Sequence, residues 1–180
     1  MIRAPIRTAL LASVLWAGCA TAACAQTPPT ATTGPIIADY GKTFDVETDI
    51  PLPQGVEFKV AFDVAKAAEP GQLNRGFESV ARFLNMHGKA GVPAERMHLV
   101  IVVHGGAIGD LKRETSGEDN ANAGLVKALM DAGVKFEVCG QAAAAQGYTK
   151  GQLVPGVEMA LSAMTAHALL AQQGYSENPF

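Results

Sequence analysis

The residue in this sequence best suited to covalent chemistry is Cys139, because of the pattern on either side of it. Apolar and charged residues alternate over residues 134–138, and this period of two is typical of a β-strand. Gly140 breaks the alternation, and the four alanines after Gln141 favour a helix. A thiol between a strand and a helix start lies near unpaired backbone N–H groups and a positive helix dipole, which favour the reactive thiolate. The alternative is that Cys139 is a small buried apolar residue, as most free cysteines are.

Three further polar residues lie at or near the ends of predicted strands. Asp63 can orient a neighbouring side chain or start a turn, and His104 can tune the thiol, donate to a bound anion or bond to the backbone. Ser162 is better explained as a helix cap than as a nucleophile, because no Gly-x-Ser-x-Gly elbow surrounds it. Gly105 either lets a ligand approach the backbone or simply makes the turn. In open parallel sheets ligands bind beyond the carboxyl ends of the strands, so we expect these residues to converge.

We therefore take Cys139 and His104 as candidate catalytic residues. The candidate binding residues are Gly105, Gly140, Gln141, Asp63 and Ser162. The histidines do not predict a metal site, and no cofactor is indicated. His98 and His104 are separated by six strand residues, about 20 Å. His87 and His167 lie on predicted helices without a ligand partner four residues on.

The elements that must position these residues follow from hydrophobic periodicity. The first half of the domain predicts a strand at 58–64 and a buried strand at 99–103. Between them it predicts a helix that ends at Gly88 and whose apolar stripe consists of Leu73, Phe77, Val80, Ala81 and Leu84. The second half predicts a helix that is capped by Asn120 or Asn122 and ends at Gly133, followed by the strand that leads to Cys139 and the helix after it. A last strand is predicted at 157–161, and a helix from Ser162 to Gln173. Alternating strands and helices predict a three-layer α/β/α sandwich with a mainly parallel sheet.

The N-terminal region has a different character. Residues 1–25 resemble a secretory signal peptide, with two arginines, an apolar stretch too short to span a bilayer, and a small-residue cleavage site. A lipoprotein cleavage site before Cys19 is the second choice. We expect residues 26–35 to form a disordered leader. Residues 36–55 are predicted to form an extended arm or an edge hairpin, which lies on the domain or on a neighbouring subunit. The α/β domain is predicted at 56–180.

Charge and cysteine content limit the possible functions. Cleavage after residue 25 removes Arg3 and Arg7 and no acidic residue, so the formal charge falls by two, from −3 to −5. A mildly acidic chain without a basic cluster is a poor candidate for nucleic-acid binding. Cleavage also removes Cys19 and Cys24, which leaves Cys139 without a partner for an intrachain disulfide in an oxidising compartment.

Several segments are similar to those of one known family. They are 59–64, 79–87, Val103-His104-Gly105, Val138-Cys139-Gly140-Gln141, Leu161 to Leu170 with its Ser-Ala-Met-Thr-Ala core, 174–175 and 178–180. From about residue 58 onward the chain thus resembles the DsrE/DsrF-like family, in its exported single-domain branch. The resemblance implies a parallel α/β sandwich that assembles into trimers or hexamers. It also implies that a cysteine in the position of Cys139 carries sulfur as a persulfide.

The sequence therefore favours a periplasmic or secreted sulfur-handling protein, a sulfur carrier or sulfurtransferase, in which Cys139 accepts sulfur. Neither the donor nor the acceptor is named by the residues. The main alternative is a non-catalytic oligomeric binding module, whose strand-end pocket holds a small anion or a thiol ligand and is lined by Cys139. A purely structural oligomer is the third hypothesis.

Overall fold

The computed structural model describes residues 29–114 and 119–179 of the 180-residue chain. The predicted signal peptide at 1–25 lies outside these residues. Within these described residues, five strands and four α-helices follow one another in the order β1 Phe58–Val64, α1 Arg75–Lys89, β2 Met97–Val103, α2 Ala123–Asp131, β3 Lys135–Cys139, α3 Gly140–Ala145, β4 Glu158–Ala160, α4 Ala163–Gln172 and β5 Ser176–Asn178. Short 3₁₀-helices lie at Ala94–Arg96, Gly105–Leu111 and Lys150–Gln152. No helix in the described part of the chain is long and apolar enough to cross a membrane.

The strands form one sheet in the order β4-β3-β2-β1-β5, and every neighbouring pair is parallel. The predicted α/β sandwich with a mainly parallel sheet is thus confirmed. The strand predicted at residues 157–161 is confirmed as β4, Glu158–Ala160, but it is not the last strand, because β5 follows α4 and pairs with β1. β5 is a three-residue edge strand of Ser, Glu and Asn, so it carries neither the apolar alternation nor the β-branched residues that predict strands.

Successive side chains along each strand point to opposite faces of the sheet and so enter two different apolar layers. Phe62, Ile101 and Phe136 lie in the larger cluster, together with buried residues of α1, α2 and the 3₁₀-helix at Gly105–Leu111. Val100 and Val102 face the opposite side and pack with residues of α4. Because both faces of the central strands are covered, β2 is an almost uninterrupted apolar run, as buried parallel strands usually are.

Helix α1 starts and ends later than the sequence predicts. Leu73 precedes the helix, because the Asn74 side chain accepts the N–H groups of Gly76 and Phe77 and so caps it. Gly88 is inside the last turn rather than at the end, and Gly91, with a φ of 86°, follows the helix. A left-handed φ favours glycine, so Gly91 has the terminating role that we assigned to Gly88.

The two asparagines predicted as caps of α2 serve other groups. Asn122 occupies the N-cap position, but its Oδ1 accepts the backbone N–H of Asn74 at 2.7 Å instead of capping its own helix. Asn120 Oδ1 accepts the N–H of Asn122, and its Nδ2 donates to the carbonyls of Asp110 and Lys112. Asn122 therefore ties the starts of α1 and α2 together, and Asn120 ties the start of α2 to the end of the 3₁₀-helix at Gly105–Leu111. Local sequence signals do not reveal these tertiary contacts.

The predicted arm lies on its own domain over residues 36–41. The buried Asn85 side chain of α1 accepts the N–H of Ile37 at 2.8 Å and donates to the carbonyls of Ile37, Tyr40 and Gly41 at 2.9 to 3.1 Å. Thr32, inside the predicted disordered leader, exchanges two backbone hydrogen bonds with Thr43. The described end of that leader is therefore ordered, since it pairs with the segment that Asn85 holds.

Candidate functional site

The residues at the predicted strand ends meet along the carboxyl edge of the sheet. Asp63 is the penultimate residue of β1, His104 follows β2 directly, and Cys139 is the last residue of β3. Ser162 lies two residues beyond the end of β4. The sheet topology thus brings together four residues that span about a hundred positions of sequence, as the sequence predicts for a parallel sheet.

Cys139 ends β3 in extended conformation and occupies the N-cap position of α3. Its Sγ accepts the backbone N–H of Ala142 at 3.5 Å, so the sulfur satisfies one of the donors that a helix start leaves unpaired. The residue is 7% exposed and packs with Val102, Ala163 and other small residues of the α4 layer. The thiol is therefore positioned by backbone at the edge of the smaller apolar layer, with little of its surface open to solvent.

Asp63 joins two histidines from distant parts of the chain. His104 Nε2 donates to both carboxylate oxygens of Asp63, at 3.0 and 3.1 Å, and His167 Nε2 donates to Oδ1 at 2.9 Å. The side chains are partly exposed, by 30% for Asp63, 32% for His104 and 19% for His167. We call these three residues the Asp–His–His cluster. It links β1, the end of β2 and α4 at one point.

The charge of the cluster follows from the pKa of Asp63. Burial raises the pKa of this carboxyl group, but the hydrogen bonds from His104 and His167 and their positive charge outweigh burial, so the pKa lies below its ordinary value of 3.8. Asp63 is therefore ionised at neutral pH and only accepts hydrogen bonds. The Nε2 atoms of His104 and His167 must then carry the hydrogen in their bonds to Asp63. In the neutral form of either ring, Nδ1 is therefore the nitrogen that can accept a hydrogen bond.

A second carboxyl group lies in the same row of the sheet. Asp63 is opposite Val102, which is opposite Glu137, which is opposite Glu158 on β4, so these residues face the same side. Burial and the charge of Glu158 raise the pKa of Glu137, while the charges of Lys135 and His167 act in the other direction. His167 thus lies between two carboxyl groups, one of which it contacts directly.

The candidate binding glycines are needed for backbone geometry. A Cβ on Gly140 would come within 2.6 Å of the carbonyl oxygen of Ala160, so only glycine lets α3 begin this close to β4. Gly105 has a φ of 53°, and its carbonyl accepts the Gln146 side chain at 2.9 Å, which connects the end of α3 to the residue after His104. Gln141 is exposed.

The structure also shows what Ser162 and His98 contact. The Ser162 hydroxyl accepts the N–H of Thr165 at 3.0 Å and caps α4, which confirms the interpretation as a helix cap. His98 bonds to Glu57 at 2.6 Å at the amino end of the sheet, far from His104. Among residues 29–114 and 119–179, no group of three or more His, Cys, Asp or Glu side chains has a geometry that could hold a metal ion.

His167 is the site residue that the sequence reasoning missed. From the sequence, His167 is a candidate only for metal binding, and the lack of a ligand partner four residues away argues against that role. Its place in the segment that carries the family resemblance was the one available signal. That its ring reaches Asp63 depends on how α4 lies on the sheet, since the two residues are 104 positions apart.

One cavity opens next to the cluster, at the carboxyl end of β1. It has a volume of about 510 Å³ and lies between the loop after β1 and the start of α1. Asp63 is in its wall, together with the exposed Lys66 and Arg75 and with Pro179. Cys139 is not in its lining, which differs from the predicted pocket lined by the cysteine.

Comparisons with known proteins agree on the family and the fold. The sequence model of the DsrE/DsrF-like family matches residues 59–176. A protein of unknown function, MTH1491 from Methanobacterium thermoautotrophicum, has a similar structure at 18% identity, with a TM-score of 0.54 over 69% of this chain and all of that one. The ychN protein from E. coli is similar at 16% identity, with a TM-score of 0.50 over 67% of this chain and 96% of that one. A search of curated proteins gives no match.

Proposed function

Because the chain belongs to the DsrE/DsrF-like family, we propose that it is a sulfur-handling protein that carries sulfur as a persulfide on Cys139. The observation that carries the proposal is the position of the thiol. Cys139 ends a central strand of the sheet, and its sulfur accepts the Ala142 N–H at the start of α3. The thiolate is the form that attacks sulfur donors, and the backbone holds the Cys139 sulfur at the carboxyl edge of the sheet, where ligands of parallel sheets bind.

The transfer itself requires only thiols and a sulfane donor. The Cys139 thiolate attacks the outer sulfur of a donor R–S–SH, a new S–S bond forms on Cys139, and the donor S–S bond breaks. The electron pair of the broken bond leaves with the donor as R–S⁻, which takes up the proton that the thiol gave up. A second thiol later removes the outer sulfur by the same reaction. No external oxidant or reductant is consumed.

We propose a periplasmic location and a homo-oligomeric state as parts of the same function. The location rests on the signal-like residues 1–25, with a lipoprotein as the alternative form. Assembly is supported by apolar side chains that the single chain leaves exposed, Phe44, Val46, Ile50, Leu161, Met164 and Leu169. Three or six copies are expected from the family resemblance.

The test is peptide mass spectrometry of the folded protein after exposure to polysulfide or thiosulfate. We expect the peptide that contains Cys139 to gain about 32 Da, one sulfur, and Cys139→Ser to abolish the gain. Ser162→Ala is a suitable comparison, since it alters a neighbouring helix cap without removing a thiol. A Cys139 peptide that stays unmodified in the folded protein would rule the proposal out.

The second candidate function is a binding module for a small anion, and the cavity beside β1 is the observation that favours it. Lys66 and Arg75 supply positive charge to its wall, which also contains the carboxyl groups of Asp63 and Glu69. Thermal unfolding with added thiosulfate or sulfite tests this function. Stabilisation that persists in Cys139→Ser and is lost in Arg75→Gln would favour the binding module, whereas stabilisation in neither protein would exclude it for these anions.

A further inference from the structure

The Asp–His–His cluster and Cys139 lie at the carboxyl end of the sheet and on the same side. Val64, Val103 and Val138 are paired in register, so Asp63 lies one residue before this row, while His104 and Cys139 both lie one residue after it. Side chains alternate along a strand, which places all three on the face covered by α4. The β2–β3 pairing ends at Val103 and Val138, and His104 and Cys139 are the next residues along the two chain segments, so their backbones leave the sheet side by side, at about the 4.8 Å spacing of neighbouring strands.

Two further contacts keep these residues in place. The backbone N–H of His104 donates to the carbonyl of Val64 at 3.0 Å, so the β1–β2 ladder continues to the histidine itself. Gln146 at the end of α3 donates to the carbonyl of Gly105 at 2.9 Å. The backbone after β2 is thus attached to the end of the helix that Cys139 caps, which fixes the position of His104 relative to that helix.

We propose that His104 exchanges a proton with Cys139 during sulfur transfer, and that Asp63 is the positioning residue that sets the tautomer and orientation of His104. This inference rests on the proposed function of Cys139. The Asp63 carboxylate holds the proton on Nε2 and leaves Nδ1 as the basic nitrogen. His167 bonds to the same carboxylate from α4 and so fixes Asp63 from the opposite side.

Sulfur transfer requires one proton to leave Cys139 and one to reach the departing donor, and His104 can carry both. Cys139 must lose its proton before it attacks, and the donor leaves as a thiolate that needs one. His104 takes the first proton and supplies the second, so the net reaction is Cys139–SH plus R–S–SH giving Cys139–S–SH plus R–SH. The histidine ends the cycle in the state in which it began, and no other reactant is required.

Other ionisable groups on this face contribute to any pH profile. Glu137 on β3 interacts with His167 and with Glu158 on β4, and Lys135 is one row away on β3. On β5, Glu177 is opposite Ala61, two residues before Asp63. Lys59 on β1 is also on this side, and its ammonium group donates to the carbonyl of Gln173 at the end of α4.

A purely structural role for the cluster makes a different prediction. Asp63 and His167 also attach α4 to β1, and an anchor of this kind would lower stability when removed without changing how Cys139 responds to pH. The test therefore measures the rate of Cys139 modification in the full chain across about pH 5 to pH 9, the range in which an imidazole titrates. Two reagents are used: iodoacetamide, which requires only the thiolate, and polysulfide, which requires sulfur transfer. Peptide mass spectrometry assigns the product to Cys139.

We expect Asp63→Asn and His104→Gln to slow the polysulfide reaction about 10²-fold near neutral pH, at the low end of general acid–base effects, and to move both pH profiles to higher pH. Glu57→Gln is the matched control, because it breaks a carboxylate–imidazole pair with His98 at the opposite end of the same two strands. Its profiles should superimpose on those of the wild type. If Asp63→Asn does not fold, His104→Ala with added imidazole replaces it, and imidazole should restore part of the rate.

The outcomes separate this inference from the proposed function. Sulfur transfer in the wild type with unchanged profiles in the variants overturns the role of the cluster and leaves the carrier function in place. A wild type that takes up no sulfur, but whose alkylation profile moves in Asp63→Asn, overturns the carrier function and supports the link between cluster and thiol. A thiol that neither reagent modifies until the chain is unfolded overturns both.

Discussion

Asp63 is the residue on which the charge of the strand-end site depends. It accepts hydrogen bonds from His104 and His167, and it is ionised at neutral pH because these bonds outweigh its partial burial. Hydrogen bonds to a charged group contribute about 1.5–3 kcal/mol each in favourable geometry. Since both imidazoles and the carboxylate remain partly exposed, the lower end of that range is the better guide here.

The first prediction concerns the pH dependence of stability. The pKa of Asp63 is lower in the folded chain than its ordinary value of 3.8, so its stabilising contribution is present above that value and is lost as the pH falls through the lower folded pKa. Asp63→Asn should therefore cost about 1–3 kcal/mol of unfolding free energy at pH 7 and less near pH 3. Urea unfolding at both pH values measures this, with near-ultraviolet circular dichroism to verify the native fold. An equal loss at both pH values would contradict the account.

The residues of the site differ in how far the sequence could predict them. Cys139, His104 and Asp63 follow apolar strands directly, so a local pattern together with the rule for parallel sheets places them at one edge. His167 is in a helix, and nothing in its neighbours indicates that it bonds to a residue 104 positions earlier. Its role depends on helix placement, which periodicity does not determine.

At the scale of elements, the junction between β3 and α3 controls the position of the thiol. The helix begins directly after the strand, so Cys139 is at once the last strand residue and the helix cap. This is possible because Gly140 lies against the backbone of β4, where a Cβ would be 2.6 Å from the Ala160 oxygen and 3.3 Å from the Leu161 oxygen. Close backbone approach, rather than a left-handed turn, is what requires glycine here.

The second prediction follows from that contact. Gly140→Ala should separate α3 from β4, lower the unfolding free energy by about 1–3 kcal/mol as overpacking does, and increase the reactivity of Cys139 as its cover loosens. Gly151→Ala is the matched control, because a Cβ there meets nothing within 4 Å. Denaturant unfolding and the rate of iodoacetamide labelling measure both effects. A Gly140→Ala protein as stable as the control would show that the junction is not tightly packed.

Element boundaries were predictable where the signals are local, and wrong where tertiary contacts decide. β1 was predicted at its observed bounds because its apolar residues form a short run between polar segments. The start of α1 was misplaced because Leu73 continues the apolar stripe, although the Asn74 cap begins the helix after it. β5 could not be predicted, since its three polar residues become a strand only by pairing with β1.

At the scale of the whole molecule, the N-terminal segment divides into a fixed part and an exposed part. Residues 36–41 are held on α1 by the Asn85 side chain, whereas Phe44, Val46 and Ile50 are between 55% and 82% exposed. With Leu52 and Met86 these side chains line a groove of about 420 Å³. We expect an apolar surface of this kind on a small domain to be covered by another surface.

The third prediction concerns assembly. We expect the protein to be a trimer or hexamer, and light scattering at micromolar concentration measures its mass. Val46→Asp should shift the protein towards smaller species, because it places a charge in the exposed apolar segment. Glu47→Gln, at an exposed neighbouring position, should leave the mass unchanged. A wild-type protein that is monomeric at this concentration would contradict the prediction and leave the groove without this explanation.

The whole-molecule architecture was largely predictable because alternating strands and helices allow few solutions. The strand order was not, since the sequence contains no signal for which strands are neighbours. The attachment of residues 36–41 was also not predictable, because it depends on one buried asparagine that the apolar face of α1 surrounds.

The central claim is that Cys139 accepts sulfur in the folded protein, and isotope transfer tests it most directly. The protein is incubated with polysulfide labelled with sulfur-34, separated from the reagent, and then treated with a second thiol. We predict that the peptide with Cys139 gains about 34 Da, one labelled sulfur, and that the second thiol removes the label completely. The contradicting result is a folded protein whose Cys139 remains unlabelled, although the same cysteine takes up the isotope once the chain is unfolded.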